Sequence, residues 1–133
     1  PSKNYFTLPN EIFSLRLGAG EIAVYAYLRC LENPSTYQCW PSYATIGKAI
    51  GRTKNTVMQY VDALSEKGLI STEPTSVLTK SRIKKNGNLR YTIRPIHEAV
   101  EIFHTRQLSA VERTTERRQI HRKLSAVNLL PGA

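Results

Sequence analysis

The feature that most constrains this chain is a pair of short amphipathic segments separated by a glycine. The first, PSYATIGKAIG at 41–51, has Tyr43, Ile46 and Ile50 along one face. The second, at 53–67, repeats apolar residues at the spacing of an α-helix: Val57, Tyr60, Val61 and Leu64. Two helices joined by a short glycine-containing turn form a helix-turn-helix unit. We therefore expect the two segments to pack against each other through these apolar faces.

Residues at the ends of the two segments favour the same boundaries. Ser42 precedes the first segment, where its hydroxyl can accept hydrogen bonds from unpaired first-turn amides. Gly51 and Gly68 follow the two segments and supply the helix stops.

The residues upstream of this pair also read as helix. A clear amphipathic stripe runs through 17–33, and 8–15 predicts a short helix opened by proline and asparagine. Residues 33–41 contain two prolines and predict a loop. We expect Trp40, the only tryptophan, to fill the edge of the core.

After Gly68 the periodicity changes from helix to strand. Residues 69–73 have strand character, and 76–95 alternate apolar with basic or polar residues. The pair Asn86-Gly87 favours a type I′ turn within this stretch. The sequence thus predicts a β-hairpin with one face on a small core and a basic face outward.

This order of elements predicts a mainly α fold with a small β wing. We expect residues 1–95 to form one domain, a three-helix core with its β-hairpin, and 96–133 to form a C-terminal helical extension. The second half of the extension has few apolar residues: Val111, Ile120, Leu124 and Val127. Either it is a solvated helix or its narrow apolar seam meets another chain, as in a homodimer.

The charge of the chain favours a polyanionic partner. Nineteen basic residues against ten acidic ones give a net charge of +9 and a pI near 9.8. Residues 1–95 hold 13 basic and 6 acidic side chains, and therefore +7 of that charge. Between Pro74 and Arg94 there are six basic residues and no acidic one. The positive charge is thus concentrated in the predicted domain and its wing.

Short motifs in and after the second segment carry a family resemblance. They are Asn55-Thr56-Val57, then Leu64, then Lys67-Gly68-Leu69-Ile70, with CWPS at 39–42 before them. The stretch resembles the winged helix-turn-helix domains of bacterial regulators and of replication proteins from plasmids and other mobile elements. It is also similar to GntR-like regulators, which typically have arginine at the positions of Lys54 and Met58. The resemblance covers roughly residues 5–95 and implies a DNA-binding domain.

The resemblance also implies which residues face DNA. By position, these are Thr53, Lys54, Asn55, Thr56 and Met58. Asn55 is the preferred base reader because its amide can pair with the N6 and N7 edge of adenine. Met58 offers an apolar contact, for example to a thymine methyl group. Gln59 lies outside the apolar stripe and is a further candidate.

Two other groups of residues are candidates for contact with the DNA backbone. Ser42 and Tyr43 begin the bracing helix, where free amides suit a phosphate, although Ser42 also reads as a plain helix cap. The predicted hairpin supplies the cations Lys80, Arg82, Lys84, Lys85 and Arg90. These cations either contact phosphates or form a solvated basic edge that discourages strand aggregation.

The sequence offers little for catalysis, metals or membranes. Cys30 and Cys39 lack the second pair of ligands that a structural zinc site needs, and the three histidines are scattered without clustered ligands. There is no glycine-rich phosphate loop and no apolar run long enough to cross a bilayer. We expect no cofactor, no metal, no enzymatic activity and a cytoplasmic location.

The leading hypothesis is sequence-specific binding of double-stranded DNA, by a transcriptional regulator or a plasmid or mobile-element replication initiator. The second helix would enter the major groove, with the basic wing on the backbone or in the minor groove. The alternative is a non-catalytic protein–protein interaction module that uses exposed Tyr5 and Met58 and the 108–130 seam. RNA binding ranks lower because the hairpin lacks interleaved stacking aromatics.

Overall fold

The computed structural model describes residues 4–78 and 84–129. A 3-10 helix, Asn10–Ser14, precedes four α-helices and five short strands. In chain order these are α1 (Ala19–Leu31), β1 (Gln38–Cys39), α2 (Tyr43–Ile50), α3 (Lys54–Glu66), β2 (Ile70–Glu73), β3 (Ser76–Leu78), β4 (Lys84–Asn86), β5 (Arg90–Ile93) and α4 (Ile96–Leu129). The chain divides into two compact units, Pro1–Val100 and Glu101–Ala133.

The first unit is built on three helices that share one apolar core. α1 packs on both α2 and α3, and α2 packs on α3. The stripe predicted for the second segment is largely confirmed, since Val57, Val61 and Leu64 are buried. Each such side chain contributes about 1.5–3 kcal/mol when it leaves water. The other buried apolar residues include Ile12, Val24, Tyr25, Leu28, Ile46, Leu69, Ile70 and Tyr91.

The predicted ends of α2 are confirmed. The Ser42 hydroxyl accepts a hydrogen bond from the Thr45 amide at 3.0 Å. Gly51 has a φ of 73°, a left-handed conformation that costs glycine nothing, and its amide donates to the Gly47 carbonyl at 2.8 Å. The Arg52 amide donates to the same carbonyl at 2.9 Å. The turn between α2 and α3 is therefore closed by backbone hydrogen bonds.

An ion pair ties the end of α3 to the start of α1. Lys67 Nζ lies 2.9 Å and 3.0 Å from the two carboxylate oxygens of Glu21, which is nearly buried. Glu21 also accepts a hydrogen bond from the Gly18 amide at 2.8 Å. The carboxylate therefore caps α1 and holds α3 at the same time.

A three-stranded sheet, in the order β1-β5-β2, covers the helices. Both pairs are antiparallel, with Gln38 opposite Thr92 and Ile70 opposite Ile93. The loop predicted for 33–41 is therefore wrong at β1. A strand of two residues there is recognisable only from its partner, because two residues show no periodicity.

The predicted turn at Asn86-Gly87 is wrong. β3 and β4 form a separate antiparallel pair, with Ser76 opposite Asn86, so Asn86 lies inside a strand. β5 pairs with β1 and β2 instead, and its Tyr91 and Ile93 are buried. Burial of these large side chains outweighs a local turn preference. The mainly helical fold with a small β wing is nevertheless confirmed.

The second unit contains most of α4. Every side chain from 108 to 120 is exposed, including Leu108, Val111 and Ile120. Among the described residues, no helix is both long enough and apolar enough to cross a membrane.

Candidate nucleic-acid interface

The first turns of α3 present polar side chains to solvent. Val57, Val61 and Leu64 bury one face of the helix, which leaves Lys54, Asn55 and Gln59 exposed. Met58 lies beside them with 42% of its surface exposed. Within the described part of the chain, none of the three polar side chains has a hydrogen-bond or ion-pair partner. Their donors and acceptors are therefore available to an external ligand.

Thr53 and Thr56, also predicted to face DNA, are used to begin the helix. Thr53 is the N-cap of α3, and its hydroxyl accepts a hydrogen bond from the Thr56 amide at 3.3 Å. The Thr53 hydroxyl also donates to the Thr56 hydroxyl at 3.0 Å. Both side chains thus fix the start of α3, from which Lys54 and Asn55 project.

Ser42 and Tyr43 lie beside the base of the wing. They line a cavity of about 250 Å³ together with Gly87–Leu89 and Tyr91. The side-chain amide of Asn88 donates through Nδ2 to the Trp40 carbonyl at 3.1 Å, which joins this part of the wing to the residues before α2. Burial, and secondarily the Asp62 carboxylate, raises the pKa of Tyr43, so its hydroxyl stays protonated at neutral pH.

The structure describes three of the five predicted wing cations and places them in different strands. Lys84 and Lys85 lie in β4, opposite Leu78 and Val77. Arg90 stands opposite Glu73 in the sheet and forms an ion pair with it. Nη2 of its guanidinium is thus engaged within the protein. The remaining two predicted cations, Lys80 and Arg82, lie outside the described residues.

Two cations that were not predicted as site residues adjoin the start of α3. Lys48, in the last turn of α2, and Arg52, in the turn, are both exposed. Together with Lys54, they line a concave surface that encloses a volume of about 550 Å³. Both residues are visible in the sequence as cations flanking Gly51. Their convergence with Lys54 appears only once the turn is folded.

Trp40 also departs from the prediction. It remains 48% exposed and lines an open groove with Tyr27 and Leu31, so it does not fill the core edge. Among the described residues, no three potential ligands from histidine, cysteine, aspartate and glutamate come together as a metal site would require.

The sequence comparison agrees with this geometry. Residues 15–70 match the family model described as a helix-turn-helix domain. The matched range runs from the end of the 3-10 helix, through α3, to the first residue of β2. Over these residues the chain is similar to that family, and α2, the turn and α3 have a helix-turn-helix arrangement that is followed by a β wing. No curated protein matches the chain.

The solved structures to which the chain is similar include regulators of transcription. A "possible transcriptional regulator" from Methanosarcina mazei Go1 has a TM-score of 0.54 at 13% identity, over 88% of this chain and 97% of that chain. A MarR-family transcriptional regulator from Silicibacter pomeroyi has a TM-score of 0.43 at 16% identity, over 92% and 79%. A mutant of S. aureus MepR bound to an oligodeoxyribonucleotide has a TM-score of 0.46 at 19% identity, over 88% and 81%. The first of these similarities supports the fold.

Proposed function

We propose that this chain binds double-stranded DNA in a sequence-specific manner, with α3 in the major groove. The observation that supports this most is the exposed set Lys54, Asn55 and Gln59, which has no partner among residues 4–78 and 84–129, on a helix whose opposite face is buried. A major groove about 12 Å wide admits such a helix. The binding step is the same in a transcriptional regulator and in a replication initiator, and the proposal covers both.

Four exposed side chains in the first half of α3 suit chemically defined contacts in the groove. The Asn55 amide pairs with the N6 and N7 edge of adenine. Lys54 acts as a point charge near a phosphate or a guanine, and Gln59 extends the polar surface by one turn. Met58 provides an apolar contact to a thymine methyl group.

The backbone contacts come from both sides of α3. The first-turn amides of α2, at Ser42 and Tyr43, hold one phosphate, and Lys84 and Lys85 of the wing hold neighbouring ones. We include Lys80 and Arg82 in the same role because of their charge. Arg90 contributes through its ion pair with Glu73, which fixes β5 against β2.

Replacement of Asn55 tests the base-reading role. Oligonucleotides selected from a random pool define the preferred site, and Asn55→Ala should then lose about 1–3 kcal/mol of discrimination at one base pair. Gln119→Ala, which removes an exposed amide from the second unit, is the control and should keep the wild-type preference. An unchanged preference in Asn55→Ala would remove Asn55 from the reading surface.

A second candidate function is a protein-interaction module, since several large apolar residues are exposed. They include Tyr5, Phe13, Met58, Leu108, Val111 and Ile120. A gel-shift titration with random duplex DNA separates the two functions. DNA binding predicts a shift that disappears in excess salt, whereas a purely protein-directed module gives no shift at any salt concentration.

We also propose that the chain acts as a homodimer, with 96–133 as the extension that supplies the contact. The DNA-binding domains of the two copies would then bind paired half-sites one helical turn apart, about 34–36 Å.

A further inference from the structure

The concave surface at the α2–α3 turn has a charge pattern that the base-reading role of α3 does not explain. Its cations, Lys48, Arg52 and Lys54, come from three successive parts of the chain. The described residues that line the surface include no carboxylate. Three neighbouring positive charges without a counter-ion repel one another, so an external anion at this surface is favoured.

The turn that presents these cations is closely packed and held by hydrogen bonds. A Cβ on Gly47 would lie 2.5 Å from the carbonyl oxygen of Arg52, so the turn packs directly on α2. The amides of Gly51 and Arg52 both donate to the Gly47 carbonyl. The Arg52 guanidinium donates to the Gly51 carbonyl at 3.1 Å through Nη1. A cation held in this way loses little conformational entropy when it binds an anion.

The surface is also separate from the backbone contact proposed at the start of α2. The eight residues of α2 lie between Ser42 and Gly51. At 1.5 Å per residue, the helix separates its two ends by about 12 Å. One phosphate cannot serve both ends, so the two surfaces hold different phosphates.

We propose that Lys48 and Arg52 form a second DNA-backbone site, which binds a phosphate other than the one held at Ser42 and the wing. This inference rests on the proposed DNA binding and adds to it a set of contacts at the opposite end of α2. The site grips the backbone beside the reading end of α3. It therefore fixes how α3 sits in the groove without itself selecting a base.

The salt dependence of binding tests the proposal in the full chain. Each lost phosphate contact should reduce the slope of log K against log salt concentration by about 0.9. Lys48→Gln/Arg52→Gln should lower the slope by about that amount, because the two cations bind the same phosphate, and each single variant should lower it by less. Base preference should remain that of the wild type, because no base edge is contacted. Arg16→Gln, which removes an exposed cation that precedes α1 and belongs to none of the proposed contacts, is the control and should keep the wild-type slope.

Duplexes with a single neutral methylphosphonate locate the site. Neutralising one phosphate should abolish the difference in affinity between the wild type and Lys48→Gln/Arg52→Gln. That phosphate should differ from the one whose neutralisation abolishes the affinity difference of Lys84→Gln/Lys85→Gln. A wild-type slope in the double variant, or the same phosphate for both pairs, would overturn the inference while leaving DNA binding intact. If the wild-type chain bound no duplex, the proposed function itself would fail. Circular dichroism melting checks that each variant is folded. If Arg52→Gln is unfolded, the slope of Lys48→Gln alone still tests the proposal.

Discussion

At the residue scale, burial controls the acid–base behaviour of side chains around the end of α1. Cys39 is buried, with its sulfur 3.8 Å from the Leu28 carbonyl oxygen. Burial, and secondarily the Glu32 carboxylate, raises the pKa of the Cys39 thiol to about 11. Cys30, nine residues earlier, is exposed. We therefore expect the exposed Cys30 thiol to react faster than the buried Cys39 thiol.

Alkylation at pH 8 should distinguish the two cysteines. Because the thiolate is the reacting form, iodoacetamide should modify Cys30 in the native chain and leave Cys39 intact. Mass spectrometry of tryptic peptides measures each modification. Cys30→Ser is the control, and it should take up reagent only after denaturation. Rapid labelling of Cys39 in that native variant would show that the thiol is accessible.

Glu32 gives a stability prediction with a defined direction in pH. Its side chain is largely buried, its Oε2 has no partner among the described residues, and burial raises its pKa although Arg29 Nη1 lies 3.2 Å from Oε1. A raised folded-state pKa favours the protonated form. The protonated carboxyl therefore contributes stability below its ordinary value of 4.5, and this is lost as pH rises through the raised pKa.

Glu32→Gln should remove the stability loss that accompanies deprotonation of Glu32. Urea unfolding at several pH values should show the variant gaining stability relative to the wild type as pH rises from 4 towards 7. Glu11→Gln, at an exposed position, is the control and should not reproduce the trend. If the wild type instead became more stable relative to Glu32→Gln as pH rises over this interval, the Arg29 ion pair would outweigh the cost of burying the carboxylate.

At the element scale, the angle and depth of α3 depend on where it meets α1. A Cβ on Gly20 would lie 2.1 Å from Cζ of the Tyr60 ring, a distance that real contacts do not reach. Gly20 thus lets α3 approach α1 closely. The Glu21–Lys67 ion pair fixes the same two helices at the next position along α1. These contacts lie at the middle and at the C-terminal end of α3, and they fix the helix against α1 from its buried side.

Gly20→Ala should destabilise the chain by about 1–3 kcal/mol, because the added methyl group forces the Tyr60 ring aside. Urea unfolding measures the loss. In a Tyr60→Ala background the cost should disappear, since the ring that causes it is gone. Gly18→Ala, where the nearest heavy atom to the added Cβ is 3.9 Å away, is the matched control and should lose less. Equal losses for Gly20→Ala with and without Tyr60 would contradict the proposed contact.

At the scale of the whole molecule, the two units differ in what stabilises them. The first has a continuous core, whereas the second exposes nearly every described side chain of α4. Like charges recur at the i, i+4 spacing in α4, as in Glu112 and Glu116, and in Arg113 and Arg117. Each such pair destabilises an isolated helix by about 0.2–0.5 kcal/mol. The helix therefore gains little from its own side chains, which favours a stabilising partner.

Sedimentation equilibrium tests whether that partner is a second copy. The full chain should show a dimer mass at micromolar concentrations, and a variant ending at Thr105 should sediment as a monomer. The shortened variant keeps the whole first unit, Pro1–Val100, and should remain folded by circular dichroism. If both chains had the monomer mass at every concentration, the homodimer would be discarded.

The sequence by itself determined the features that depend on neighbouring residues. The apolar stripe of α3, the Ser42 cap and the Gly51 stop all follow from local spacing and backbone preference, and each is present. Only the tertiary structure decided the features that join distant residues. β1 exists because β5 lies beside it, and Asn86 is in a strand because β4 pairs with β3.

The residues of the candidate site also fall into two groups, those whose exposure could be predicted from the sequence and those whose contacts depend on the tertiary structure. The exposure of Lys54 and Asn55 follows from the helical period, so it could be predicted. The pairing of Arg90 with Glu73, and the meeting of Lys48 and Arg52 with Lys54, depend on the packing of the sheet and of the turn. Local sequence sets the conformation of each element. Burial, which acts between elements far apart in the chain, sets which side chains meet.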